Sequence, residues 1–279
     1  MLLLKGSEVA NNLKNDLVKL SDELKIKNQN PTLGIIRVGN NESDLSYLKG
    51  ISKKFQELNI KINLFEFPEN ITQNDFNSEF DKINLNNSIH GILMFRPLPK
   101  NLNDEYARKN INPLKDVDCM GYINLAKLFA GEKCFYPCTP AGIIEILKFY
   151  NIDLTGLNVV IIGRSLVIGK PLAMMLLKYN ATVTVCHSKT KNLNIICKNS
   201  DLIITAAGHA NLINKSFVNE NSIIIDAGIN FYNNKLCGDV NFQEVSEIVK
   251  SITPVPGGVG SVTTSILAKN LLNACSALI

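Results

Sequence analysis

Four stretches of this chain hold residue types that could do chemistry. SDLSYLKGISKKFQELNI (43–60) sets one tyrosine, Tyr47, among three lysines. Tyr47, Ile51, Phe55 and Leu58 recur at helical spacing as one apolar stripe, and Lys49 and Lys53 fall on the far side. Lys54 lies near the stripe but two turns from Tyr47, about 10 Å along a helix. The residues alone therefore read as an amphipathic helix with solvated lysines. GRSLVIGKP (163–171) joins the apolar run NVVII to a helical pattern. A glycine turn there can offer helix N-terminal N–H groups to a phosphate. NPLKDVDCMG (112–121) carries Asp118, which reads either as a turn aspartate or as a carboxylate facing a ligand. TPVPGGVGSVTT (253–264) is a proline–glycine run whose glycines permit positive φ.

The glycine turn departs from G-x-G-x-x-G. Gly163 holds the first place, Ser165 replaces the second glycine, and Gly169 comes one residue late. The strand–turn–helix–strand context still points to a dinucleotide. An NAD site usually has a carboxylate about 20 residues further on. Here the next strand ends VCHSKT, with none. Arg164, Ser188 and Lys189 could instead face a 2′-phosphate. NADP is thus favoured over NAD, with NAD still possible.

These residues need elements to position them. A length of 279 residues predicts two domains, and 46% hydrophobic with 19% charged residues fits a globular protein. Helices are expected over 7–28, 43–60 and 72–85, and strands over 31–39, 61–67 and 89–95. This β-α-β-α-β rhythm argues for a mostly parallel sheet. Thr139 and Pro140 read as the N-cap and first position of the next helix. A second rhythm follows, with strands in NVVII, ATVTVC, DLIITAA and SIIIDAGI. The expected organisation is an α/β domain over 1–138 and a Rossmann-like domain over 139–264. A terminal helix over 265–279 is expected to return to the first domain.

Composition narrows the function classes. A net charge of +4 without a basic tract gives no support for nucleic-acid binding. No apolar run reaches membrane-spanning length, and the N-terminus does not read as a signal peptide, so a cytoplasmic protein is expected. The seven cysteines are scattered and lack metal-ligand spacing, which suggests reduced thiols and no metal site.

Taken in order, KDVD, CTPAG, GRSLVIGKP, CHSKT and TPVPGGVGSVTT resemble the methylenetetrahydrofolate dehydrogenase/cyclohydrolase family along nearly the whole chain. The resemblance implies two lobes with a cleft between them, the first (1–138) being the folate-binding catalytic domain, with tetrahydrofolate derivatives as substrates, NADP as cofactor and a homodimer. It implies that Tyr47 stacks on the pterin and that Asp118 holds pterin nitrogens. Gly163, Arg164, Ser165, Gly169 and Ser188 would form the cofactor site, with Ile229 near the nicotinamide. Pro256, Gly257, Gly258 and Val259 would line the cleft, followed by Thr263. Two readings compete: a different two-lobed oxidoreductase of the shikimate type, opposed by the proline–glycine run and KDVD, and a non-catalytic nucleotide binder, which NADP binding without turnover would support.

The departures from the family are chemical. Its helix reads Tyr-x-x-x-Lys, but the lysine position here is Ile51. Its strand end reads Val-Gln-Leu-Pro-Leu-Pro, but Phe95 stands at the glutamine and Arg96 at the leucine. Cys119 replaces the glycine of Lys-Asp-Val-Asp-Gly, and Ser261-Val262 replaces Pro-Met. Hydride transfer needs positioning above all. Hydrolysis of the methenyl product needs proton transfers, which isoleucine and phenylalanine cannot make. The sequence therefore predicts a dehydrogenase with weak or absent cyclohydrolase activity, the bifunctional enzyme being the alternative.

Overall fold

The computed structural model describes residues 1–232 and 235–278. Its N-terminal elements are β1 (Leu2–Leu3), α1 (Gly6–Ile26), β2 (Thr32–Val38), α2 (Glu42–Glu57), β3 (Lys61–Phe67), α3 (Gln73–Leu85) and β4 (Gly91–Met94). Then come α4 (Glu105–Asn110), α5 (Tyr122–Ala130), α6 (Cys138–Phe149), β5 (Asn158–Ile162), α7 (Gly169–Lys178), β6 (Thr182–Cys186) and α8 (Leu193–Lys198). The chain closes with β7 (Leu202–Thr205), β8 (Ile223–Asp226), β9 (Asn230–Tyr232), β10 (Lys235–Cys237), α9 (Phe242–Ser246), β11 (Ser251–Ile252) and α10 (Val259–Ala277).

The chain divides into two compact units. One contains residues 13–138 and 264–279, the other residues 1–12 and 139–263. The expected terminal helix ends within the described residues at Ala277, and Ile279 lies outside them.

The first unit is built on a parallel sheet in the order β3-β2-β4. The side chains of β2 alternate between its faces. Ile36 and Val38 join Phe76, Phe80 and Ile83 of α3 in one core layer. Ile51 and Phe55 of α2 are fully buried, so the apolar stripe is a core stripe. Burial of each such side chain stabilises by about 1.5–3 kcal/mol. The end of α10 packs on β4: a Cβ at Gly91 would meet Leu271 at 2.7 Å.

The second unit carries a six-stranded sheet in the order β1-β11-β8-β7-β5-β6. Every pairing in it is parallel. Its inner strands are continuous apolar runs, as strands covered on both faces must be. Val160, Ile162, Ile203 and Ile224 share one core cluster with Cys186, Cys197 and Ile252.

Two expectations need correction. The expected first domain includes residues 1–12, but β1 extends the six-stranded sheet of the second unit, with Leu2 N–H on Lys250 O at 2.8 Å. Thr139 is not an N-cap, because α6 starts at Cys138. The Cys138 N–H is taken by the Asp118 carboxylate at 3.0 Å. A cap from 20 residues away satisfies the helix end that Thr139 was expected to serve.

Candidate active site

In the first unit, α2 and the end of β4 bring Tyr47 and Phe95 together, with ring centroids 5.6 Å apart and planes inclined by 36°. Phe95 follows β4 in register, its N–H on Ile36 O at 2.9 Å. It is 6% exposed, and Ile51 is fully buried. Positions 95 and 51 are therefore apolar in character and dry in setting. Tyr47 lies close to Asp118 and Cys138. Burial first, then these two neighbours, hold its phenol well above its ordinary value.

Asp118 is half-buried and divided between two tasks. Its Oδ1 accepts the Cys138 N–H, and its Oδ2 lies 4.0 Å from Arg96 Nη2. Arg96 also reaches Asp104 at 3.7 Å, and Asp104 lies 4.0 Å from Arg108. A string of alternating charges thus runs from Asp118 outward. Lys54 is paired with Glu57 at 4.0 Å, which engages it within its own helix.

Within KDVD, only Asp118 is available for a ligand. The buried Lys115 donates to Asn84 O at 2.7 Å and Asn86 O at 2.9 Å. The buried Asp116 accepts from Met120 N–H, Gly121 N–H and Asn124 Nδ2. Burial raises its carboxyl to about 6 despite those donors. Cys119 adopts φ +53° while 1% exposed, so a buried thiol occupies the left-handed region that glycine fills most readily.

In the second unit, the C-terminal edge of the sheet carries the glycine turn. Gly163 has φ +135°, and a Cβ there would lie 2.5 Å from Ala206 O. A Cβ at Gly169 would lie 2.0 Å from Gly163 O, so turn and helix meet backbone to backbone. Ser165 accepts the Ile168 N–H at 3.1 Å, which closes the turn. Arg164, Ser165, Ser188 and Lys189 are exposed at this edge. So are Leu166 and Val167, each 40% exposed, and Ile229, 67% exposed. Donors for an anion and bare apolar side chains for a ring fit a dinucleotide phosphate with 2′-phosphate and nicotinamide.

The glycine run behaves differently along its length. Pro256 is exposed and Gly257 half-buried at φ +102°, whereas Gly258 and Val259 are buried. Gly6 N–H bonds Gly257 O at 2.9 Å, and a Cβ at Gly6 would strike Gly258 O. Thr263 is buried and its hydroxyl donates to Val259 O at 3.2 Å. Tyr47 and Asp118 thus belong to one unit, and the glycine-run residues and all cofactor candidates to the other.

Two features escaped sequence reading. Arg96 pairs with Asp118, which its sequence neighbours do not suggest. Asp226 and Asp239 are buried at 3% and 0% exposure beneath the cofactor edge. The GDV segment containing Asp239 reads locally as an ordinary turn.

A glycine turn at the C-terminal edge of a doubly covered parallel sheet, with a separate α/β unit, defines a two-domain dinucleotide-binding α/β protein. The family model "Tetrahydrofolate dehydrogenase/cyclohydrolase, catalytic domain" matches residues 4–118, and the family's NAD(P)-binding domain model matches residues 137–278. The chain belongs to this family. It is 50% identical over 274 residues to "Bifunctional protein FolD" of Clostridium botulinum (strain Langeland), covering 98% of this chain and 97% of that one. The bifunctional FolD enzyme of Campylobacter jejuni superposes with a TM-score of 0.96 at 40% identity, covering 100% of both chains. The Trypanosoma brucei dehydrogenase-cyclohydrolase, solved with NADP cofactor and inhibitor, gives 0.94 at 30% identity, covering 99% of this chain and 98% of that one. No described helix is long and apolar enough to cross a membrane.

Proposed function

We propose that this chain oxidises 5,10-methylenetetrahydrofolate with NADP, giving the methenyl derivative, and that it hydrolyses that product only weakly. NADP, when bound, accepts the hydride lost from the carbon between N5 and N10. The chain's own residues bind and orient. Tyr47 offers a face for the pterin ring, Asp118 Oδ2 accepts its N–H groups, and Phe95 walls the pocket. The donors of Arg164, Ser165, Ser188 and Lys189 take the cofactor's phosphates. The methenyl cation is delocalised over two nitrogens and needs no acid or base to form.

Ring opening to 10-formyltetrahydrofolate is another matter. Water must attack and protons must move, a role worth about 10²–10⁴ in rate for a placed acid-base group. The observation that carries the reading is the burial of Ile51 and Phe95 around Tyr47. A second reading, the bifunctional enzyme, is favoured by the names of the relatives, which carry both activities. At the level of the family it is the better supported of the two, and the comparisons lend no support to a loss of hydrolysis. In that case Lys54, Arg96 or solvent covers the missing group. Parallel assays of NADP reduction and methenyltetrahydrofolate loss on one sample separate the readings. A homodimer and a cytoplasmic location follow from the same proposal, and sedimentation tests the first.

A further inference from the structure

Asp239 lies outside the expected site, yet it accepts more hydrogen bonds than a turn requires. Its Oδ2 accepts from Thr205 Oγ1 at 2.8 Å, Ala207 N–H at 2.6 Å and Gly208 N–H at 3.3 Å. Its Oδ1 accepts from His209 N–H and Asn230 Nδ2, both at 2.9 Å. Three successive amides, 207 to 209, form a backbone concavity of the kind that binds anions. Here the protein's own carboxylate fills it.

The segments gripped are those that border the cofactor edge. Residues 206–209 follow β7, and Asn230 follows Ile229. Ala206 N–H bonds Ile162 O at 2.8 Å, and Ala206 O is the atom against which Gly163 closes. Asp239 itself is held from below. Its N–H donates to Asp226 Oδ1 at 3.1 Å, while Val240 N–H and Gly228 N–H also bond Asp226. A Cβ at Gly228 would lie 2.3 Å from Asp239 Oδ1, and one at Gly238 would strike Asp226. The carboxylates and glycines interlock without slack.

We infer that Asp239 is a positioning residue for the dinucleotide site: through Thr205, the 207–209 amides and Asn230 it fixes the loops after β7 and β8 against the glycine turn. This rests on the NADP reading above. An asparagine at 239 would set an NH2 against two or three N–H and O–H donors, so at least one loop must release. The bonds concerned are made to a charged acceptor, and losing one corresponds to about a tenfold or greater effect on cofactor affinity.

The experiment compares the wild type with Asp239→Asn, Thr205→Val and Thr205→Ser, measuring NADP KM, methylenetetrahydrofolate KM and kcat. Expected are an NADP KM raised about tenfold in Asp239→Asn, a smaller rise in Thr205→Val, an unchanged folate KM, and recovery in Thr205→Ser. A general structural role would lower the melting temperature and active fraction without moving the NADP KM selectively, and that result overturns the proposal. If Asp239→Asn does not fold, the Thr205 pair decides. A wild type that neither binds nor reduces NADP fails the functional reading itself, and the proposal falls with it.

Discussion

The rings of Tyr47 and Phe95 meet with centroids 5.6 Å apart and planes inclined by 36°. Ile51 is fully buried, so positions 51 and 95 can pack and stack but cannot exchange protons. Phe95→Ala should remove its ring while leaving the backbone bond to Ile36. We expect a several-fold rise in folate KM and a stability loss of about 3 kcal/mol. Steady-state kinetics and urea unfolding check the two effects.

Under the proposed reading, lysine at 51 with glutamine at 95 should raise methenyl hydrolysis. Ile51→Lys alone sets an unpaired cation at a fully buried position and should destabilise by about 3 kcal/mol or more. Adding Phe95→Gln supplies a partner, so the double variant should recover part of that stability. Its methenyl hydrolysis should rise by about 10² or more over the parent. A stable double variant hydrolysing at the parent rate would show that these two positions do not control the second step.

Asp118 joins two roles that substitution can separate. Asp118→Asn keeps an oxygen for the Cys138 N–H, so stability should change by less than about 1 kcal/mol. Asp118→Ala loses that cap as well. Both should weaken folate binding strongly, measured as KM or by titration of a folate analogue. Arg96→Leu leaves Asp104 with Arg108 and should cost little stability, about 1 kcal/mol at most, while folate KM changes.

The close backbone contacts of the glycine turn predict intolerance. Gly163→Ala would bring a Cβ to 2.5 Å from Ala206 O at φ +135°. We expect NADP KM to rise at least about tenfold and the melting temperature to fall. Gly131→Ala is the control, since φ is also positive there but nothing lies within 4 Å of the added Cβ.

Acid should affect this protein in an unusual direction at two sites. Burial raises the carboxyls of Asp116 and Asp226 to about 6, above the ordinary 3.8. The folded state therefore binds these protons more tightly than the unfolded chain. The stability each contributes is fully present below about 4 and is lost as pH rises through about 6. The full amplitude is about 3 kcal/mol per group. Urea unfolding between pH 4.5 and 7 should show Asp116→Asn with a more positive slope of stability against pH than the wild type. Equal slopes would contradict the assignment.

Much of this was legible because it is periodic. The stripe Tyr47, Ile51, Phe55 and Leu58 and the strand KINLFEF depend on local patterns, and the structure shows α2 and β3 there. The misses share a different cause. Thr139 looks like a cap, but the cap comes from Asp118, a tertiary contact invisible to local pattern. Leu2–Leu3 is too short to show a period, so its pairing with β11 could not be read. Lys115, Asp116 and Asp239 look like solvated turn charges, and Asp226 like the polar end of a strand. Lys115, Asp226 and Asp239 are held by partners from distant segments, whereas Asp116 is held by Met120, Gly121 and Asn124 just after it.

The most direct test of the central claim follows one purified sample in two assays: NADP reduction with methylenetetrahydrofolate, and loss of methenyltetrahydrofolate absorbance against the buffer rate. The account predicts robust reduction with hydrolysis close to the buffer rate. Hydrolysis well above buffer, at a rate comparable to reduction, would contradict it and establish the bifunctional enzyme despite Ile51 and Phe95.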